Sequence, residues 1–93
     1  HYPCYDNMVL FFGGQPKCVT VREEEGFLYR PEDIRANLAP DVKAVMINSP
    51  ANPTGTILDA GRLRGIAALD TLVITDENYH GLTYGEEREH SIL

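Results

Sequence analysis

Two short stretches of this 93-residue chain concentrate the side chains that could do chemistry: Asn48-Ser-Pro-Ala-Asn-Pro-Thr-Gly55 and Asp76-Glu-Asn-Tyr-His-Gly81. The first is a stiff loop with two amides, the second offers a carboxylate and a phenol. Side chains of these types donate and accept hydrogen bonds. Each stretch also has an ordinary structural reading. Asn-Pro-Thr-Gly is a tight turn in many loops. An aspartate at position 76 serves as a cap or a surface acid, and a tyrosine at 79 as a half-buried packing residue.

The elements in front of these stretches bring them together. Residues 43–47, apolar after Lys43, read as a strand buried on both faces, and residues 71–75 as another short apolar strand. Residues 59–69 between them repeat Leu63, Ile66, Ala67 and Leu69 at helical spacing, weakened by two glycines. Strand, helix, strand is a βαβ unit with parallel strands, so the sheet belongs to the α/β class. In open α/β sheets the ligand crevice lies beyond the carboxyl ends of the strands. Both polar stretches leave those ends, so both are expected at one crevice.

Upstream, residues 5–12 suit a short helix closed by Gly13 and Gly14. Residues 17–22 are β-branched and alternating, and predict a strand. Glu23 to Gly26 is a solvated turn. Arg30 to Leu38 predicts a helix with Pro31 at its first position, acids in its first turn, and Pro40 beyond its end.

Composition narrows the function classes. Eight Lys and Arg against 14 Asp and Glu give a net charge of −6, which argues against a nucleic-acid partner. The longest apolar run, Met8 to Phe12, is far too short to span a membrane, and no basic region precedes a cleavable apolar segment. Cys4 and Cys18 lack zinc-type spacing, and reduced thiols in a cytosolic protein are the expected state, although spacing alone leaves a disulfide open. His80 and His90 lie among Glu77, Glu86, Glu87 and Glu89, but the spacing matches no helical ligand pair, so no metal site is expected. The chain opens on His1 without an initiator methionine and closes on Leu93 without a charged tail, so a piece of a longer protein is expected.

Tyr2 to Tyr5, Phe12 to Pro16, Asn48 to Gly55 and Asp76 to Gly85, in that order and across essentially all 93 residues, resemble the class I/II, aspartate-aminotransferase-like enzymes. These are fold type I enzymes that use pyridoxal 5′-phosphate. The resemblance implies a three-layer α/β/α architecture with a mainly parallel sheet, residues 1–93 forming part of the large, cofactor-binding domain. It implies that Asp76 pairs with the pyridine nitrogen, that Asn52 and Tyr79 bond the ring's phenolic oxygen, and that Tyr2 stacks on the ring. A cis bond before Pro53 belongs to the same pattern. The implied activity is transfer of an amino group between an amino acid and a 2-oxo acid, in a cytoplasmic homo-oligomer of the dimeric kind. A lyase, decarboxylase or synthase that reuses the clamp is the alternative within the fold. Outside it stands a non-catalytic α/β module.

The sequence departs from the pattern in three places. No lysine follows Tyr79, so the family's Schiff-base lysine lies outside the chain and no residue here is expected to be catalytic. Asn52 and Asp76 are about four residues closer than in the family, close to one helical turn, with the loss expected near Ala68 to Thr71. Asn78 replaces a branched apolar residue, at a cost of order 1–3 kcal/mol if that position is buried and unpartnered.

Overall fold

A computed structural model describes residues 1–86 and 88–93 of the chain; Glu87, one of the acids near His80 and His90, lies outside the described residues. The order of elements is α1 (Cys4–Phe11), a 3₁₀ turn (Glu23–Glu25), α2 (Pro31–Asn37), β1 (Ala44–Asn48), α3 (Ala60–Ala67) and β2 (Leu72–Asp76). The two strands pair in parallel, with Ala44 beside Leu72 and Asn48 beside Asp76. That register is the βαβ unit expected from the sequence. It puts the ends of both strands at the same level.

Alternation along the strands divides the sheet into two unlike faces. Val45, Ile47 and Val73 face α2 and α3, where Ile47 packs with Ile34, Leu58, Leu63, Ile66 and Leu69 in one buried cluster. Ile66 is fully buried, and the helical stripe read from the sequence is the face that buries it. Asp59 caps α3, its carboxylate accepting from the Arg62 amide at 2.9 Å, so the helix starts one residue later than the pattern alone suggests. Gly65, which weakens that pattern, has a packing reason: a Cβ there would meet the Pro31 ring at 2.6 Å. The glycine is what lets α2 and α3 approach.

The other sheet face carries Met46, Leu72 and Ile74, which are 40%, 64% and 43% exposed. Residues 43–47 are therefore not buried on both sides in this chain, contrary to the expectation from their unbroken apolar run. The α/β class is as expected, and of the three layers this chain supplies the sheet and one helical layer. Residues 17–22 form no strand. Their β-branched pattern favours a pleated, half-buried surface, but a ladder needs a neighbouring strand, and among the described residues β1 and β2 pair only with each other. The segment is mostly exposed instead, and only Val19 and Val21 are half-buried.

Candidate functional site

The site begins with Asn48, the last residue of β1 and 4% exposed. A buried amide must find partners, and this one finds three. Its Nδ2 donates to the Pro50 carbonyl at 3.1 Å and to the Asp76 carbonyl at 2.9 Å, while its Oδ1 accepts from the Asn52 amide at 2.6 Å. Asn48 therefore ties the loop after β1 to the end of β2. Ser49 adds two more ties, donating its amide to the Asp76 carbonyl at 3.1 Å and accepting from Leu58 N–H at 3.0 Å through Oγ. The loop closes on itself through Ala51 N–H to Thr56 O at 2.9 Å and Gly55 N–H to Ala51 O at 2.7 Å. Gly55 has φ 71°, a conformation that suits glycine. The peptide bonds before Pro50 and Pro53 are both cis; the second is the one expected.

This scaffold delivers Asn52 to Tyr79. The Asn52 Nδ2 donates to the Tyr79 hydroxyl at 3.2 Å. One N–H of that amide and the phenol's own proton remain available, so two donors converge where one acceptor oxygen could bridge them. Ala51, Asn52, Pro53, Ile57, Tyr79 and Leu82 are among the residues lining a cleft of about 270 Å³. Asp76 and Tyr2 lie outside its lining.

Asp76 has its own partners. Its Oδ2 accepts a hydrogen bond from the Tyr5 hydroxyl, and its Oδ1 accepts from the Asn78 amide at 3.1 Å. Lone-pair positions remain on both oxygens for a further donor. Tyr2 packs edge-on against Tyr5, ring centroids 5.7 Å apart, and is 42% exposed, so a ring face is open. Burial raises the pKa of Tyr5 far above the ordinary phenol range, the hydrogen bond and charge of Asp76 adding to it and Tyr79 contributing least. Tyr2 is also raised, chiefly by the Cys4 side chain, with Tyr79 again the smallest contributor. Tyr2, Tyr5 and Asp76 thus form one contacting group and Asn52 and Tyr79 another, both at the carboxyl end of the sheet. Asn78 is exposed, so the desolvation cost attached to it does not arise.

Two residues that build the site, Asn48 and Tyr5, had no role assigned from sequence. Asn48 carried a signal, a polar residue closing an apolar strand immediately before the proline loop. Tyr5 carried none, since its partner lies 71 residues away. Glu77, next to Asp76, points away into a separate network. Its Oε1 accepts from Thr75 Oγ1 at 3.1 Å, Ser91 Oγ at 3.2 Å and Ile92 N–H at 3.2 Å, which ties the C-terminal segment to β2. Burial works to raise its pKa, but those hydrogen bonds and the nearby His80 together hold it below the usual carboxylate range. Neither lysine joins the site: Lys17 donates to the Asn37 carbonyl at 3.1 Å. Lys43 precedes β1 at the end opposite Asn48, about 16 Å away along a five-residue strand.

Comparison with known proteins bears on the family and fold of the chain. The family model for aminotransferase class I and II matches residues 1–92. Aspartate aminotransferase of Geobacillus stearothermophilus is 38% identical over 96 residues, covering 99% of this chain and 24% of that protein. A probable aspartate/prephenate aminotransferase of Thermus aquaticus is 39% identical, covering 90% of this chain and 23% of that protein. Among solved structures, the Thermus thermophilus aspartate aminotransferase with maleate superposes with a TM-score of 0.90 at 36% identity. It covers 97% of this chain and 25% of that one. The aromatic aminotransferase of Pyrococcus horikoshii superposes at 0.89 with 35% identity, covering 95% of this chain and 25% of that one. The chain spans about a quarter of the length of the curated relatives it matches.

Proposed function

Because the chain belongs to the aminotransferase class I and II family, we propose that its carboxyl-end cluster holds pyridoxal 5′-phosphate by one face and two edges. The reaction is transfer of an amino group between an amino acid and a 2-oxo acid. Bound there, the cofactor supplies an electron sink for the substrate's α-carbon. The chain's own residues set how strong that sink is.

Asp76 would hold a proton on the pyridine nitrogen, because a carboxylate beside a cationic ring favours the charged form. Tyr5, protonated throughout the physiological range, fixes the carboxylate's orientation. Asn52 and Tyr79 would donate to the phenolic oxygen. Tyr2 offers its exposed face to the ring, worth roughly 0.5–1.5 kcal/mol beyond burial. The donor set fits the group, and the observation that carries the reading is the 3.2 Å contact between the Asn52 amide and the Tyr79 hydroxyl, with both donors still free to serve one oxygen.

The relatives are named for different amino acids and agree on amino transfer, as aspartate, aspartate/prephenate and valine–pyruvate aminotransferases. That favours amino transfer over lyase or decarboxylase chemistry and leaves the choice of amino acid to residues beyond these. A homo-oligomer in the cytoplasm is part of the same proposal. Among the described residues no helix is long and apolar enough to cross a membrane.

The test is equilibrium binding of pyridoxal 5′-phosphate to the full chain and to its Asn52→Ala, Tyr79→Phe and Asp76→Asn variants. Each should bind about tenfold more weakly, the equivalent of one lost hydrogen bond or charge contact. Unchanged affinity in all three, with the fold intact, refutes the site.

A further inference from the structure

A second side-chain arrangement lies at the same N-terminal end of α1, built from His1, Asp6 and Cys18. One donor atom from each falls within 4.8 Å of the other two. His1 Nε2 is 3.0 Å from Asp6 Oδ2 and the ring's other nitrogen, Nδ1, is 3.8 Å from Cys18 Sγ; a metal takes only one of the two, so the ring reorients on binding. Sequence spacing gives no hint of it, because Cys18 is brought back by the fold. Gly14 turns the chain against α1: its amide donates to the Val9 carbonyl at 2.9 Å, and a Cβ there would strike Val9 Cγ1 at 2.8 Å. The eight-residue helix is about 12 Å long. The stretch from Gly14 to Cys18 can span about 13 Å, which suffices to return Cys18 to the helix's first turn.

We propose that His1, Asp6 and Cys18 form a three-ligand site for a borderline divalent metal, zinc above all. An imidazole, a thiolate and a carboxylate are the donors zinc takes, at about 2.0–2.3 Å, whereas magnesium and calcium require an all-oxygen shell. Tetrahedral bonds of those lengths put neighbouring donors about 3.3–3.7 Å apart, so rotamer changes of three partly or fully exposed side chains close the site. His1 and Cys18 are exposed and Asp6 half-buried, which leaves the fourth position to water. The metal replaces the thiol proton and releases it to solvent, with no change of oxidation state. Bound, it staples residues 15–22, which form no strand, to the segment that carries Tyr2 and Tyr5.

The test is titration of the full chain with Co²⁺ and then Zn²⁺, under reducing conditions in phosphate-free buffer without pyridoxal phosphate. The expected result is one equivalent bound, with a thiolate-to-cobalt charge-transfer band and intense tetrahedral visible bands, both removed by Zn²⁺. Cys18→Ser and Asp6→Asn should weaken Zn²⁺ binding at least tenfold, while Cys4→Ser and His80→Ala leave it unchanged. A second measurement needs no variant. Saturating Zn²⁺ should slow alkylation of Cys18 at least tenfold and leave Cys4 unprotected, read by mass spectrometry of the peptides. Absence of the charge-transfer band, its persistence in Cys18→Ser, its loss in Cys4→Ser, or equal alkylation of both cysteines with and without Zn²⁺ each overturns the proposal.

Discussion

Replacing Asn48 by alanine strikes the joint between the two site loops, and its cost follows from the bonds removed. The substitution deletes the donor to Pro50 O and Asp76 O and the acceptor for Asn52 N–H. The Asp76 carbonyl keeps its bond from Ser49. Pro50 O and Asn52 N–H lose the partners shown for them in a buried or half-buried setting, at roughly 1–3 kcal/mol each where water cannot replace the bond. A net loss of about 3 kcal/mol results, a roughly hundredfold fall in the folded-to-unfolded ratio. Asn48→Asp should be worse at neutral pH. One carboxylate oxygen still accepts from Asn52, but the other faces two carbonyls, and the charge is buried. Burial raises such a carboxyl's pKa, so the folded state favours the protonated form and the Asn48→Asp variant should recover stability on acidification toward about pH 4. Urea unfolding followed by far-ultraviolet circular dichroism measures both effects. An Asn48→Ala midpoint equivalent to less than about 0.5 kcal/mol of change, or an Asn48→Asp variant more stable than Asn48→Ala at neutral pH, would refute the reasoning.

Three further outcomes are expected. Gly65→Ala should destabilise the chain by about 1–3 kcal/mol despite alanine's better helix propensity, because its methyl meets the Pro31 ring at 2.6 Å; a stabilised variant in the same urea assay contradicts the packing. Glu77 is depressed in the folded state, so its contribution is present above the ordinary glutamate pKa and lost as pH falls through the lower folded value; Glu77→Gln should flatten the acid limb of the stability curve. Tyr5 is raised, so its contribution is complete below the free phenol's pKa and is lost as pH rises through the folded value. In an ultraviolet phenolate titration, Tyr5→Phe should therefore remove the latest-ionising tyrosine, and loss of an ordinary one instead would contradict the Tyr5–Asp76 bond.

The sheet and the helices around it were legible because local and tertiary requirements agree there. Pro31 starts α2 as its fixed φ dictates, and the stripe of Leu63 and Ile66 is the buried face of α3. Residues 17–22 misled because β propensity describes a surface waiting for a neighbour, and none of the described strands pairs with it. The apolar run of β1 misled in the same direction, since Met46 can be read as buried only if a second layer is supplied. At the site, Asn52, Tyr79 and Asp76 stood out by following strand ends. The Tyr5–Asp76 bond and the Cys18–His1 approach depend on chain reversals whose outcome is visible only in three dimensions.

The central claim is tested most directly by the pyridine nitrogen itself. Pyridoxal 5′-phosphate labelled with ¹⁵N, bound to the full chain, should show a protonated ring nitrogen at neutral pH, and Asp76→Asn should abolish that signal while Tyr79→Phe leaves it in place. A nitrogen that remains unprotonated in the unmodified chain, or one whose protonation ignores Asp76, would contradict the account.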